Sequence, residues 1–166
     1  MTFYFGYGSN LNGVELRAWC RKKGEEWPLG CQVGRGRLPD VDLCFNRTLT
    51  LCPRIGQLVE GQLFEITPKG WDVLDRKEGV ATGCHERVPV HVCRETGEMA
   101  AAFAYIDFRR IRNCFVQPRV ASVDVIHGGR RTYGLETGTL EAAAANETVP
   151  LAVNSLFVYG TLLRGE

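Results

Sequence analysis

The chain has 166 residues, 45% of them hydrophobic and 23% charged, the balance of one folded globular domain and not of a disordered, collagen-like or coiled-coil chain. Twenty Lys plus Arg oppose 19 Asp plus Glu for a formal charge of +1, which gives no electrostatic footprint for nucleic acid or an anionic membrane. No apolar run approaches the roughly 20 residues that span a bilayer, and the first residues lack a signal-peptide pattern, so a cytoplasmic protein is expected.

In chain order, Thr2 to Tyr7 is apolar and aromatic and predicts a strand, Gly8-Ser9-Asn10 a turn, and about Leu11 to Lys23 a helix that stops at Gly24. Cys31 to Arg37 and Val41 to Phe45 predict two strands joined by a Pro39-Asp40 turn, and Gly56 to Ile66 a longer strand. Thr67 as N-cap, Pro68 at the first helical position and Gly79 just past the end frame the next helix. Arg87 to Cys93 and Ala101 to Ile106 predict a hairpin turning at Thr96-Gly97. Two helices follow, Val120 to Tyr133 and the alanine-rich Glu136 to Asn146, and then a strand from Ser155 to Leu163. The order β-α-β-β-β-α-β-β-α-α-β predicts an α+β fold, with a mixed, mainly antiparallel sheet curled into a small barrel flanked by helices.

Metal and disulfide chemistry find no pattern. The cysteines, Cys20, Cys31, Cys44, Cys52, Cys84, Cys93 and Cys114, are odd in number and contain no C-x-x-C. His85, His91 and His127 have no zinc-ligand spacing, and His91 and His127 read as structural or surface residues. The pairs of arginines at Arg35-Gly36-Arg37 and the cluster Arg109-Arg110-Ile111-Arg112 read as solvated faces.

Two places carry chemistry. In Gly6-Tyr7-Gly8-Ser9-Asn10-Leu11 a strand opens into a helix, so backbone N–H groups are available to a carboxylate or phosphate. Leu11 stands where a dinucleotide fingerprint needs its third glycine. The plainer alternative is that the loop only turns the chain and caps the helix. The second place is Glu78: Trp71, Leu74, Asp75 and Glu78 fall at i, i+3, i+4 and i+7, which puts both carboxylates on the apolar helix face. A glutamate there, in the last turn where the helix dipole is negative, has its charged form disfavoured and suits a general acid/base. The alternative is a Glu78 paired with Arg76 or Lys77. Asp75 is expected to be structural, accepting from backbone N–H groups of a neighbouring loop.

Tyr4 to Leu11, Arg37-Leu38-Pro39-Asp40-Val41-Asp42-Leu43 with Phe45-Asn46, Gly61 to Glu65, Leu74-Asp75-Arg76-Lys77-Glu78-Gly79-Val80 and Gly129-Arg130-Arg131-Thr132-Tyr133-Gly134-Leu135 resemble, in order, the gamma-glutamylcyclotransferase (AIG2-like) family. The resemblance implies a barrel with its cavity at the Y-G-S-N loop. It implies a cofactor-free and metal-free reaction that turns a small-molecule γ-glutamyl amine or peptide, glutathione among them, into 5-oxoproline and the free amine. It implies Glu78 as the catalytic carboxylate and Tyr7, Gly8, Ser9, Asn10 and Leu11 as the substrate loop. His85 stands where the family has a substrate-lining tyrosine, and Pro118-Arg119-Val120-Ala121-Ser122 where it has P-S-P-x-Y, so His85 and Ser122 are expected at the substrate and the leaving amine is in question. A non-catalytic binding or interaction domain, and another amide-processing activity in which water or an external amine attacks, are the alternatives. Residues 1–150 form the expected domain. Leu156 to Thr161 echoes Tyr4 to Ser9, so residues 151–166 are expected either to pair as a strand at a sheet edge, in this chain or across a homodimer, or to open a truncated second domain of the same kind.

Overall fold

The two longest strands belong to a stretch whose glycines and prolines suggest interruption. The computed structural model describes residues 2–107 and 115–147. They form β1 (Thr2–Gly6), α1 (Gly13–Lys23), β2 (Leu29–Phe45), β3 (Leu49–Ile66), α2 (Pro68–Glu78), β4 (Glu86–Arg94), β5 (Met99–Ile106), α3 (Val120–Thr132) and α4 (Gly138–Ala145). The strands close into a barrel in the order β1-β3-β2-β4-β5, with β1 antiparallel to β3 and parallel to β5. This is the α+β barrel that the order of elements predicts. Residues 108–114, with the Arg109 to Arg112 cluster, and the strand expected over residues 155–163 lie outside the described residues.

Pro39-Asp40 is not a turn. β2 runs through it: Pro39 pairs with Leu58, Val41 pairs with Pro53, and the register shifts between them. Asp40 takes φ 59° and its Oδ1 accepts from Gly56 N at 2.8 Å. A proline without an N–H and an aspartate in the left-handed region make a bulge as readily as a reversal, and here they bend a continuous strand. The reversal lies at Asn46 to Thr48, so β3 begins at Leu49 and not at Gly56.

The helix ends follow side-chain capping. Thr67 accepts from Gly70 N and Gly79 closes α2 in the left-handed conformation, as expected. α1 starts at Gly13, two residues later than expected, because Asn12 is the residue whose side chain accepts from Glu15 N; Ser9–Leu11 forms a separate 3-10 turn. α4 starts at Gly138 and not Glu136, because the Glu136 carboxylate folds forward onto the Thr139 hydroxyl at 2.8 Å and its N–H at 3.1 Å.

Strand alternation sorts the core into two layers. Phe5, Val59, Leu63, Val92, Ala102 and Ala104 pack with Ile126 of α3 and Leu140 of α4. Tyr4, Phe64 and Ile66 pack with Leu16 and Cys20 of α1 and Trp71 and Leu74 of α2. Among the described residues no helix is long and apolar enough to cross a membrane. The first layer depends on close approach of β1 and β3 at Gly61, where a Cβ would stand 2.6 Å from both Gly6 O and the Phe5 ring. Gly61→Ala is therefore expected to destabilise the fold by about 2 kcal/mol through overpacking, read as a lowered midpoint in urea denaturation.

Candidate active site

The loop after β1 is gripped from behind. In its 3-10 turn, Leu11 N donates to Gly8 O at 3.1 Å and Asn12 N to Ser9 O at 3.0 Å. The N–H groups that precede these bonds are those that helix geometry leaves without an internal acceptor. α3 presses on the turn through Gly129, where a Cβ would lie 2.6 Å from Asn12 N, while Asn12 Nδ2 donates to Val125 O at 3.0 Å. Arg130 beside it has no solvent exposure. Its Nη1 donates to Tyr7 O and Glu60 O, both at 3.1 Å, and its Nε to Glu136 O at 2.8 Å. Burial pushes the Arg130 pKa down, and the nearby Glu136 and Glu60 carboxylates push against that.

The front of the loop opens onto a cavity of about 530 Å³. Glu78, the last residue of α2, stands in its wall. Asn10 Nδ2 donates to Glu78 Oε1 at 2.9 Å and to the Tyr4 hydroxyl at 3.0 Å, so both amide protons are used and the loop is bonded to the carboxylate. Lys77 Nζ is 3.6 Å from Oε1 and His85 Nδ1 is 3.4 Å from Oε2. His85 Nδ1 also lies 3.0 Å from the Glu78 carbonyl oxygen, which can only accept, so Nδ1 carries the proton. In the neutral ring Nε2 is then an acceptor, 3.3 Å from Thr48 Oγ1. Of the two cations expected beside Glu78 only Lys77 reaches it; Arg76 forks onto Glu25 with two bonds of 2.6 Å.

Phenols complete the wall. Burial, and then the charge of Glu78, raise the Tyr4 pKa well above its ordinary value, so this hydroxyl stays protonated. Burial does the same for Tyr7, whose hydroxyl donates to Tyr105 O at 2.5 Å. Asp75 does not accept from a backbone loop. It accepts from the Tyr105 hydroxyl at 2.6 Å and faces Arg87 at 3.4 Å, because the C-terminal half of β5 and the start of β4 lie against this face of α2.

Tyr7, Gly8, Ser9, Asn10, Glu78, His85 and Ser122 thus line one cavity. Leu11 does not: its side chain is fully buried beneath the loop, packed with Tyr4 and Leu16. An apolar residue at the end of a 3-10 turn points to the core while the polar residues before it stay at the opening. Tyr4, Tyr105 and Thr48 line the cavity as well, and sequence reasoning misses them because strand pairing and a distant turn deliver them; Lys77, beside Glu78 on α2, lines it too. Arg35 and Arg37 are exposed but engaged: Arg35 donates to Gly134 O at 3.0 Å and pairs with Glu95, and Arg37 Nε lies 3.2 Å from Glu60. His127 meets Glu141 at 3.3 Å, between α3 and α4.

The sequence profile of the AIG2-like family matches residues 58–136. The structure is similar to that of a gamma-glutamyl cyclotransferase, with a TM-score of 0.69 at 19% identity over 95% of this chain and 93% of that one. The chain has the gamma-glutamylcyclotransferase-like fold. An uncharacterised Homo sapiens protein shares it at a TM-score of 0.68 and 21% identity, over 95% of this chain and 93% of that one. An AIG2-like protein from Mus musculus does so at 0.56 and 20%, over 69% and 82%. No curated protein sequence matches the chain. The AIG2-like segment holds Glu78, His85, Ser122 and Arg130, while the Tyr7 to Asn10 loop of this gamma-glutamylcyclotransferase-like barrel precedes it.

The grip on the loop makes a testable claim. Arg130→Met removes the donor from three carbonyls, that of Tyr7 buried and those of Glu60 and Glu136 part-buried, and is expected to cost about 3 kcal/mol of stability. Arg130→Lys should recover only part of it, since an ammonium lacks the planar fork. Denaturant midpoints of the two variants check both.

Proposed function

We propose that this chain is a γ-glutamyl cyclotransferase, acting in the cytoplasm without a cofactor on a small γ-glutamyl compound. The observation that carries the reading is the hydrogen bond from Asn10 to Glu78, which ties a candidate general acid/base to a loop of backbone donors on the wall of one cavity. The fold of a gamma-glutamyl cyclotransferase supports it.

The reaction asks for little beyond these parts. The substrate's α-amine attacks its own γ-carbonyl carbon, a C–N bond forms to close a five-membered ring, and the C–N bond to the leaving amine breaks. Because the attack is intramolecular, the main task is to hold the folded conformer. The α-ammonium nitrogen loses two protons to become the ring N–H; the Glu78 carboxylate takes them in turn and returns them to the departing nitrogen, which leaves as an ammonium, so that one group serves as base and then as acid. The N–H groups of the Gly8-Ser9-Asn10 turn hold the substrate's α-carboxylate or the oxyanion that develops at the γ-carbon, where one such donor contributes about 3 kcal/mol. Lys77 and His85 beside Glu78 keep the carboxylate oriented between its two tasks. His85 and Ser122 shape the space for the leaving amine, which makes glutathione, γ-glutamyl amino acids and γ-glutamyl amines the substrates to compare.

Release of 5-oxoproline from these compounds, read by mass spectrometry, tests the reading. Glu78→Gln is isosteric but cannot shuttle a proton, so turnover is expected to fall by about a thousandfold with the circular-dichroism spectrum unchanged. Turnover near that of the unmodified protein in this variant overturns the role of Glu78. Tight binding of a γ-glutamyl compound with no 5-oxoproline from the unmodified protein assigns the cavity to a binding domain instead.

A further inference from the structure

Two guanidiniums stand at the cavity with no counter-charge paired to them among the described residues. Arg47 and Arg119 both line it and both are exposed. Among the described residues neither has an ion pair or a side-chain hydrogen bond. The other charges of the wall are already matched, Lys77 against Glu78 at 3.6 Å. The fold brings the two arginines to one rim: Asn46 bridges Val116 in parallel and Val116 N donates to Phe45 O at 3.1 Å, so the β2–β3 turn runs beside the segment that enters α3. Arg47 is held at φ 109°, a conformation that side-chain-bearing residues adopt at a cost and that recurs at ligand clamps. A glycine would relieve that strain, yet the position carries the largest cation available. Ser122, one turn into α3, adds a hydroxyl to the same wall, and no side chain caps the start of that helix.

We propose that Arg47 and Arg119 form an anion subsite for the departing amine and select γ-glutamyl compounds whose leaving group is an acidic amino acid, with two carboxylates. The inference rests on the cyclotransferase reading for which half of the substrate faces the rim. The γ-glutamyl half brings one ammonium and one carboxylate, and Glu78 and the Gly8-Ser9-Asn10 turn answer both. Two positive charges are left over, and a dicarboxylate leaving group matches them in number. A neutral amine leaves them unmatched, and a leaving lysine meets repulsion.

Calorimetric titration of the full chain carrying Glu78→Gln, which holds ligand without consuming it, separates the possibilities. The ligands are γ-glutamyl-glutamate and γ-glutamyl-methylamide. The dicarboxylate is expected to bind about tenfold more tightly at low salt, with the gap narrowing as salt is added. Adding Arg47→Gln and Arg119→Gln should remove the gap and leave the methylamide affinity unchanged. Equal affinities before those changes, or a gap that survives them, overturns the subsite. The cyclotransferase reading fails separately: a gap that behaves as expected, with no 5-oxoproline from the unmodified chain, overturns the reaction and leaves the subsite standing. Binding of neither ligand, to this variant or to the unmodified chain, overturns both.

Discussion

A buried arginine determines where this site can exist. Arg130 takes a guanidinium out of water, which is unfavourable by several kcal/mol unless its donors are met. Nε and Nη1 are met by carbonyls from three separate segments, Tyr7 at the head of the loop, Glu60 in β3 and Glu136 between α3 and α4, while the buried Nη2 has no partner among the described residues. Because hydrogen-bond geometry is narrow, satisfying one cation fixes the relative position of all three. Gly129 beside it completes the arrangement, since any side chain there would strike the loop backbone. The loop is therefore placed by a helix more than a hundred residues later in the chain, and not by its own glycines.

On the other side of that loop the same logic runs with an anion. Glu78 arrives from the end of α2 and meets Asn10, Lys77 and His85, so its two oxygens are each faced by a donor or cation. Asn10 holds the Glu78 carboxylate with one amide proton and the Tyr4 hydroxyl with the other. Tyr4, kept protonated by burial and by the Glu78 charge, retains a proton to donate within the cavity. The result is a carboxylate oriented by the backbone turn that also supplies anion-binding N–H groups, two functions coupled through one asparagine.

Features set by local chemistry were legible in the sequence. Thr67, Pro68 and Gly79 bound α2, Thr96-Gly97 turns the β4–β5 hairpin, and the i, i+4, i+7 spacing of Trp71, Asp75 and Glu78 puts both carboxylates on the packed face. Features decided by partners were not. Pro39-Asp40 reads as a reversal until β3 is there to pair across it. Asp75 reads as a backbone acceptor until Tyr105 and Arg87 arrive on neighbouring strands. Leu11 reads as part of the binding loop although its side chain turns to the core. Arg130 sits in a recognised run of residues, but nothing local marks it as buried; the Gly128-Gly129 pair before it is the one available sign that the helix comes close to another backbone.

The central claim is that the substrate's own amine, and not water, attacks the γ-carbonyl under the control of Glu78. Turnover of a γ-glutamyl compound in water enriched in oxygen-18 separates the two directly. Intramolecular attack predicts that the γ-glutamyl half leaves as 5-oxoproline without the label; free glutamate carrying oxygen-18 in its γ-carboxylate would contradict the account.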